Sequence, residues 1–328
     1  MMKKQWIVGS VLTAAFLLTG CAEASSTTKE AEYATAEQII SENAEPEMVT
    51  ITDSAGHEVE VPFNPETIAV FDNGQLDNLN ALGLGDRVVL TASPNLPEHL
   101  SGFSDREVAG SFFEIDLEVT NAMQPDLIIV AGRSRTAYDD LAMIAPTIDL
   151  SNDTAHYYES IDTNLNRLAT IFGKEEQAET LLTELEEKMT TLKEEAQASE
   201  LTTLMTLFNE GSLSAYGPGS RFGVIHDAFG FTPIDDSIEV SNHGMEVSFE
   251  YVLEKDPDVL FILDRTAAIG GDVTSETLND NPLIQETKAY STDDIYYLSP
   301  SAWYLSEGGV ETFHIMMDEV KEALSTTD

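Results

Sequence analysis

Three shortages limit what this 328-residue chain can be. Cysteine occurs once, at Cys21, so no internal disulfide can form in any compartment. Basic residues are few: 16 Lys and Arg stand against 59 Asp and Glu, a formal net charge of −43. Nucleic acids are held through basic patches that neutralise phosphates, so this balance argues against them as partners. Such a surface is usual for solvated proteins working in high salt or at alkaline pH outside the cell. Histidine numbers six, and no two stand at a metal-binding spacing such as His-Glu-x-x-His. A P-loop, a Gly-x-Ser-x-Gly elbow and a dinucleotide fingerprint are also missing. A secreted metal-dependent enzyme is therefore disfavoured, and no permanently bound cofactor is expected. No repeat of solenoid period is visible.

The first clear signal is N-terminal. Residues 1–20 read as a targeting segment, with Lys3-Lys4 followed by an apolar run from Trp6 to Leu18. That run is too short and too N-terminal to be a domain's membrane-spanning helix. It closes in Leu18-Thr19-Gly20-Cys21, which looks like a bacterial lipobox with the only thiol where lipid attachment needs one. An ordinary signal peptide with a chance cysteine is the alternative. Each buried acyl methylene contributes about 0.8 kcal/mol, and lasting anchorage takes more than one chain. Cys21 is thus the expected lipidation site, on the extracytoplasmic face of the cell membrane. Residues 21–47, rich in Ala, Ser, Thr and Glu, are expected to form a flexible acidic tether.

From residue 48 the patterning is that of an α/β protein. Residues 48–155 begin with a hairpin turning near Ala55-Gly56, with His57 at the turn. Strands are expected over 67–71, 88–92, 127–131 and 147–150, with helices over 75–84 and 138–144. Such alternation implies a mainly parallel sheet. Residues 156–199 are helical throughout, broken near Gly173. Their second part carries Leu181, Leu182, Leu185, Met189 and Leu192 at spacings of three and four. About three heptads that then meet a strand suit one long helix joining two lobes better than a dimer seam, so a monomer is expected. Residues 200–328 read as a second α/β lobe. Here strands are expected over 202–208, 259–263 and 295–298, and helices over 222–229, 248–255, 278–289 and 309–324, with a loop at 301–304.

Two modules mirror each other across the lobes. Glu114 to Glu118 opens a helix, Gln124-Pro125-Asp126 closes it, and the strand ends in Gly132-Arg133-Ser134-Arg135. Ser248 to Lys255 repeats the helix, Asp256-Pro257-Asp258 closes it, and the strand delivers Asp264-Arg265. Ligand-contacting groups of open α/β sheets lie at such carboxyl ends. The chain has seven arginines, and four of them (Arg133, Arg135, Arg221 and Arg265) lie in loops of this kind. One arginine alone is most often a surface ion pair. Four scarce cations on facing loops of so acidic a chain point to an anionic ligand, because the planar guanidinium fork matches delocalised oxygen anions.

The lipobox, two lobes and single connecting helix resemble the substrate-binding lipoproteins of iron-siderophore ABC importers. The resemblance runs over nearly all of the chain from Val49. It rests on Asp53-Ser-Ala-Gly-His-Glu-Val-Glu-Val-Pro62, Gln124-Pro-Asp-Leu-Ile-Ile129, Ser220-Arg-Phe-Gly-Val-Ile-His-Asp227, Asn242-His-Gly244, Ser248-Phe-Glu-Tyr251 and Trp303-Tyr-Leu305. Within that family the pattern is closest to the branch taking ferric catecholates of the petrobactin type. The resemblance implies the class III substrate-binding fold, two Rossmann-like lobes joined by a long helix, with a ferric siderophore captured between them and delivered to an ABC permease and its ATPase. It further implies His243 and Tyr304 as iron donors, Trp303 beside the ligand, and Glu118 and Glu250 as permease-docking residues. His226 and His314 look structural. A haem or corrinoid binder of the same fold is the nearest alternative, and would need fewer facing arginines.

Overall fold

Alternating side chains and a tight turn start the described structure. Strands β1 (Met48–Thr52) and β2 (Glu58–Pro62) pair antiparallel, with Ile51 and Val61 buried on the shared face. The turn is held by Asp53, whose side chain accepts from the amides of Ala55 and His57. This is a computed structural model describing residues 46–92, 96–272 and 274–325. The targeting segment, Cys21 and all but the last two residues of the expected tether lie outside the described residues.

The first sheet is parallel throughout. It contains β3 (Ile68–Val70), β4 (Val88–Thr91), β5 (Glu107–Val108), β6 (Leu127–Val130) and β7 (Thr147–Asp149), in the order β5-β4-β3-β6-β7. Chain direction across the sheet therefore switches at β3. Helix α1 (Asn73–Ala81) follows that strand, capped by the Asp72 carboxylate, which accepts from the Gln75 amide. Helix α2 (Leu117–Met123) leads into β6.

Helices α3 (Tyr157–Phe172) and α4 (Glu175–Ser199) separate the lobes. Gly173, at φ +62°, ends the first in a left-handed cap. Along the 25 residues of α4, about 37 Å at 1.5 Å per residue, the buried stripe is Ala178, Leu182, Leu185, Leu192 and Ala196.

The second sheet is mixed rather than mainly parallel. Strands β8 (Thr202–Asn209), β12 (Val259–Asp264) and β13 (Ile295–Leu298) run parallel, and the short β10 (Thr232–Pro233) pairs with the start of β8. Strands β9 (Ser212–Tyr216) and β11 (Met245–Val247) add antiparallel pairs, in the order β11-β9-β8-β12-β13. A hairpin explains the reversal: Glu210 and Gly211 both adopt positive φ, 50° and 92°, as a two-residue turn between twisted strands requires. The helix expected over 278–289 is broken into short pieces. Asn281 caps a new start at Pro282 and Thr287 caps another at Lys288.

The mirrored modules have matching wiring. Helix α2 and helix α5 (Phe249–Lys255) each end at a left-handed residue, Gln124 at φ 48° and Asp256 at φ 49°. The aspartate after each proline then ties the module to the start of the parallel strand beside its own, β3 or β8. Asp126 accepts from the amide and hydroxyl of Thr67, and Asp258 from the amide and hydroxyl of Thr202.

The last helix, α6 (Val310–Lys321), returns to pack on α1 and α4. Asp77 accepts from the Thr312 amide at 2.8 Å and Asn78 from the Val310 amide at 3.1 Å, both buried. One apolar cluster consequently runs from Ile68 and Leu127 through Leu185 and Leu192 to Phe229, Phe261 and Phe313. The lobes share a core, and truncating Phe313 would cost on the order of 3–5 kcal/mol. Among the described residues no helix is long and apolar enough to cross a membrane.

Candidate functional site

Strand ends and the loops after them converge on a cleft of about 420 Å³ between the two sheets, within the usual range for small-ligand sites, roughly 300–1,000 Å³. Its lining includes Arg133 and Arg135 from the loop after β6, Arg221 from the loop after β9, and His243. Arg265 and Tyr304 are not part of that lining but adjoin it through the other arginines.

Tyr304 is the focus of the charge. It lies in a π-helical turn, Ser301–Leu305, where an unstructured loop was expected; such turns recur at functional sites. The turn is anchored from inside by Trp303, whose indole donates to the Glu319 carboxylate at 2.7 Å. Trp303 is fully buried and stands edge-on to Phe229. The expectation that it sits beside the ligand is thus not met, because its indole fills the shared core. Its neighbour Tyr304 faces the arginines. The guanidinium carbons of Arg221, Arg133 and Arg265 lie 4.6, 4.9 and 5.8 Å from the ring centre. Arg133 also donates to the Tyr304 carbonyl at 2.7 Å, and the Arg265 Nε to its hydroxyl at 2.9 Å. Burial would raise the phenol's pKa, but the Arg265 hydrogen bond and the three cationic charges outweigh it and hold the group below its ordinary value.

Each arginine has its own footing. Arg265 donates to Asn209 at 2.6 Å. Arg221 makes a two-point contact with Glu307, at 3.1 and 2.5 Å. Burial opposes the Arg221 charge, yet Glu307 more than offsets this and binds the proton more firmly. Arg135 is exposed, and among the described residues its guanidinium has no partner.

His243 is exposed on the loop before β11. The loop is held by the Ser241 hydroxyl, which accepts from the His243 amide, and by Ser220, which accepts from the Ser241 amide. Gly244 is the residue that lets it sit there: at φ +74° a Cβ would come within 2.8 Å of the Tyr216 ring. Across the cleft mouth, the Thr154 hydroxyl meets the Asn242 side chain at 3.4 Å. His226 is buried against the Phe231 carbonyl and His314 lies on α6; burial lowers both pKa values.

Two carboxylates that sequence reasoning missed share this space. Glu307 lines the cleft against Arg221, and Asp72 lies where β3 gives way to α1. Burial pushes the Asp72 carboxyl up to about 6, against a helix-start amide and Arg133 that pull it down and Glu307 that adds to the rise. The signal for Asp72 was available, since β3 is the switch strand of its sheet and ligands gather outside such ends. Glu307 had no local signal. Glu118 and Glu250 lie away from the cleft, exposed in the first turns of α2 and α5. Among the described residues, no three His, Cys, Asp or Glu side chains are grouped to hold a metal ion.

Comparison with known proteins gives consistent neighbours. A family model described as periplasmic binding protein matches residues 68–302. The petrobactin-binding protein YclQ of Bacillus subtilis (strain 168) is 35% identical over 328 residues, 98% of this chain and 99% of that protein. Its crystal structure matches with a TM-score of 0.83 at 37% identity, covering 85% of this chain and 99% of the other. The periplasmic catecholate-siderophore binding protein VctP of Vibrio cholerae matches with a TM-score of 0.78 at 28% identity, covering 84% of this chain and 100% of the other.

Proposed function

The chain belongs to the periplasmic binding protein family, and from that membership we propose that it captures a ferric siderophore of the catecholate type and hands it to an ABC permease. Its two α/β lobes and single long helix are the class III form of the fold. The observation that carries the reading is the Tyr304 phenol among three guanidinium groups beside an Arg-lined cleft. A ferric catecholate is a bulky, delocalised oxygen anion, and guanidinium donors suit it. The relatives named for petrobactin and catecholate siderophores support the same ligand class.

In this reading Arg133, Arg135, Arg221 and Arg265 receive the ligand's charge. His243 and Tyr304 fill positions that a tetradentate chelator leaves open on six-coordinate iron. These two side chains supply at most two donors, so the other four come from the chelator, and iron arrives as cargo rather than as a resident cofactor. Glu118 and Glu250, one exposed on each lobe, are the proposed contacts to the permease, whose ATPase drives uptake. Cys21 carries the lipid that keeps a monomeric receptor on the outer face of the membrane.

A fluorescence titration against ferric bis-catecholates, ferric tris-catecholates, haem and cobalamin tests the proposal. Trp303 adjoins Tyr304 in sequence, so an iron chelate in the cleft should quench it by energy transfer. Saturable quenching by catecholates but not by haem or cobalamin is the expected result; preference for haem or the corrinoid would overturn it.

A further inference from the structure

An anion-binding cleft that holds its own carboxylate needs an explanation. Arg221 and Glu307 are 19% and 18% exposed, and both line the cleft. The pair is not needed to place Arg221, because its guanidinium already lies over the Phe222 and Tyr304 rings, at 4.9 and 4.6 Å. Nor does the carboxylate hold the Glu307 backbone. The Glu307 carbonyl accepts from Asn152 at 3.3 Å and presses on Gly74, where a Cβ would come within 2.1 Å of it. The next amide, of Gly308, donates to the Tyr157 hydroxyl at 2.8 Å. Both partners are therefore fixed independently, and their contact is a contact between charges.

We propose that Glu307 is the resident counter-anion of the cleft, occupying at Arg221 the place that an oxygen anion of the ligand takes. This deepens the siderophore reading and rests on it. Because the backbone of Glu307 is pinned, its carboxylate leaves Arg221 only by side-chain rotation and stays in the cleft when displaced. Asp72 adds a second acidic group there. A compact anion that takes Arg221 must leave Glu307 desolvated and unpaired, a net loss. A ferric catecholate reaches Arg133 and Arg135 as well, and so offsets that loss. Glu307 thus sets an affinity threshold at Arg221: a small inorganic anion held there alone falls below it, and a large chelate whose charge is spread over several guanidinium groups clears it.

The test is isothermal titration of inorganic sulfate and of a synthetic ferric bis-catecholate. Five proteins are compared: the parent, Glu307→Gln, Glu307→Ala, Arg221→Gln and the Glu307→Gln, Arg221→Gln double variant. Glu307→Gln should bind sulfate at least about tenfold more tightly than the parent, and the ferric catecholate more tightly too. In the Arg221→Gln background the change at 307 should raise either affinity much less, since the vacated partner is gone and only through-space repulsion is relieved. Glu307→Ala is the second variant, also removing the charge. Unchanged or weaker sulfate binding in both 307 variants overturns the proposal, as does an equal gain in the Arg221→Gln background. Failure of the siderophore reading looks different: the parent ignores ferric catecholate while Glu307→Gln still gains sulfate.

Discussion

The Nε of Arg265, at the carboxyl end of β12, donates to the phenol oxygen of Tyr304 at 2.9 Å. A strand end and a π-helical turn 39 residues apart in sequence thus meet at the oxygen proposed to bind iron. The contact favours the phenolate, the form a ferric ion requires, and removing that oxygen leaves a half-buried guanidinium donor without its acceptor.

Tyr304→Phe and His243→Ala are each expected to weaken a tetradentate ferric bis-catecholate by about tenfold or more, ~1.4 kcal/mol. Each should also shift the charge-transfer absorption of the complex. A hexadentate tris-catecholate has no open position and should lose far less. Visible spectra identical to the parent's in both variants would leave a purely electrostatic cleft.

Asp72 gives a pH-dependent stability term. Burial raises its carboxyl from 3.8 to about 6, so the folded chain holds that proton more tightly than the unfolded chain. The resulting stabilisation is fully present below 3.8 and is lost as pH rises through about 6. Asp72→Asn keeps the cap on α1, because Asn caps about as well as Asp, and removes the charge. It should match the parent near about pH 4 and exceed it by roughly 1–2 kcal/mol at about pH 8, after allowance for solvent screening. Urea melts at the two pH values check this; a difference that does not change with pH refutes it.

Glu118 and Glu250 stand in equivalent first turns of α2 and α5, both exposed. Replacing both by Ala should impair uptake in cells while leaving ligand affinity intact. Normal uptake by the double variant would remove them from docking. A fall in affinity would mean that they act on the cleft instead.

Cys21→Ala should release the protein from washed membranes into the soluble fraction. Retention equal to the parent's would show that something other than lipid on this thiol holds it there.

Much of the scaffold was legible because its signals are local. Strand β12 announced itself as a continuous apolar run, α5 by its Ser248 cap, and α4 by a stripe at spacings of three and four. The hairpin strand β9 was missed because five residues, Ser-Leu-Ser-Ala-Tyr, alternate too briefly to stand out, and with it the antiparallel part of the second sheet. Trp303 was misplaced for another reason. Aromatic neighbours in a Trp-Tyr pair look alike as ligand contacts, and only the π-helical turn sends one into the core and the other toward the arginines.

By itself the sequence determined the two α/β lobes, the helix between them and the arginine-bearing strand ends, because apolar period, capping and chain direction act over a few residues. Only the tertiary structure decided which charges meet. Arg221 and Glu307 are 86 residues apart, and Asn152 and Glu307 155 apart. Their contacts depend on α6 folding back onto α1, where Gly74 leaves room for the Glu307 carbonyl and Gly308 and Gly309 for the Asn152 and Asp77 side chains, which a Cβ would exclude. A carboxylate's charge is fixed by its residue type, but its partner is fixed by packing.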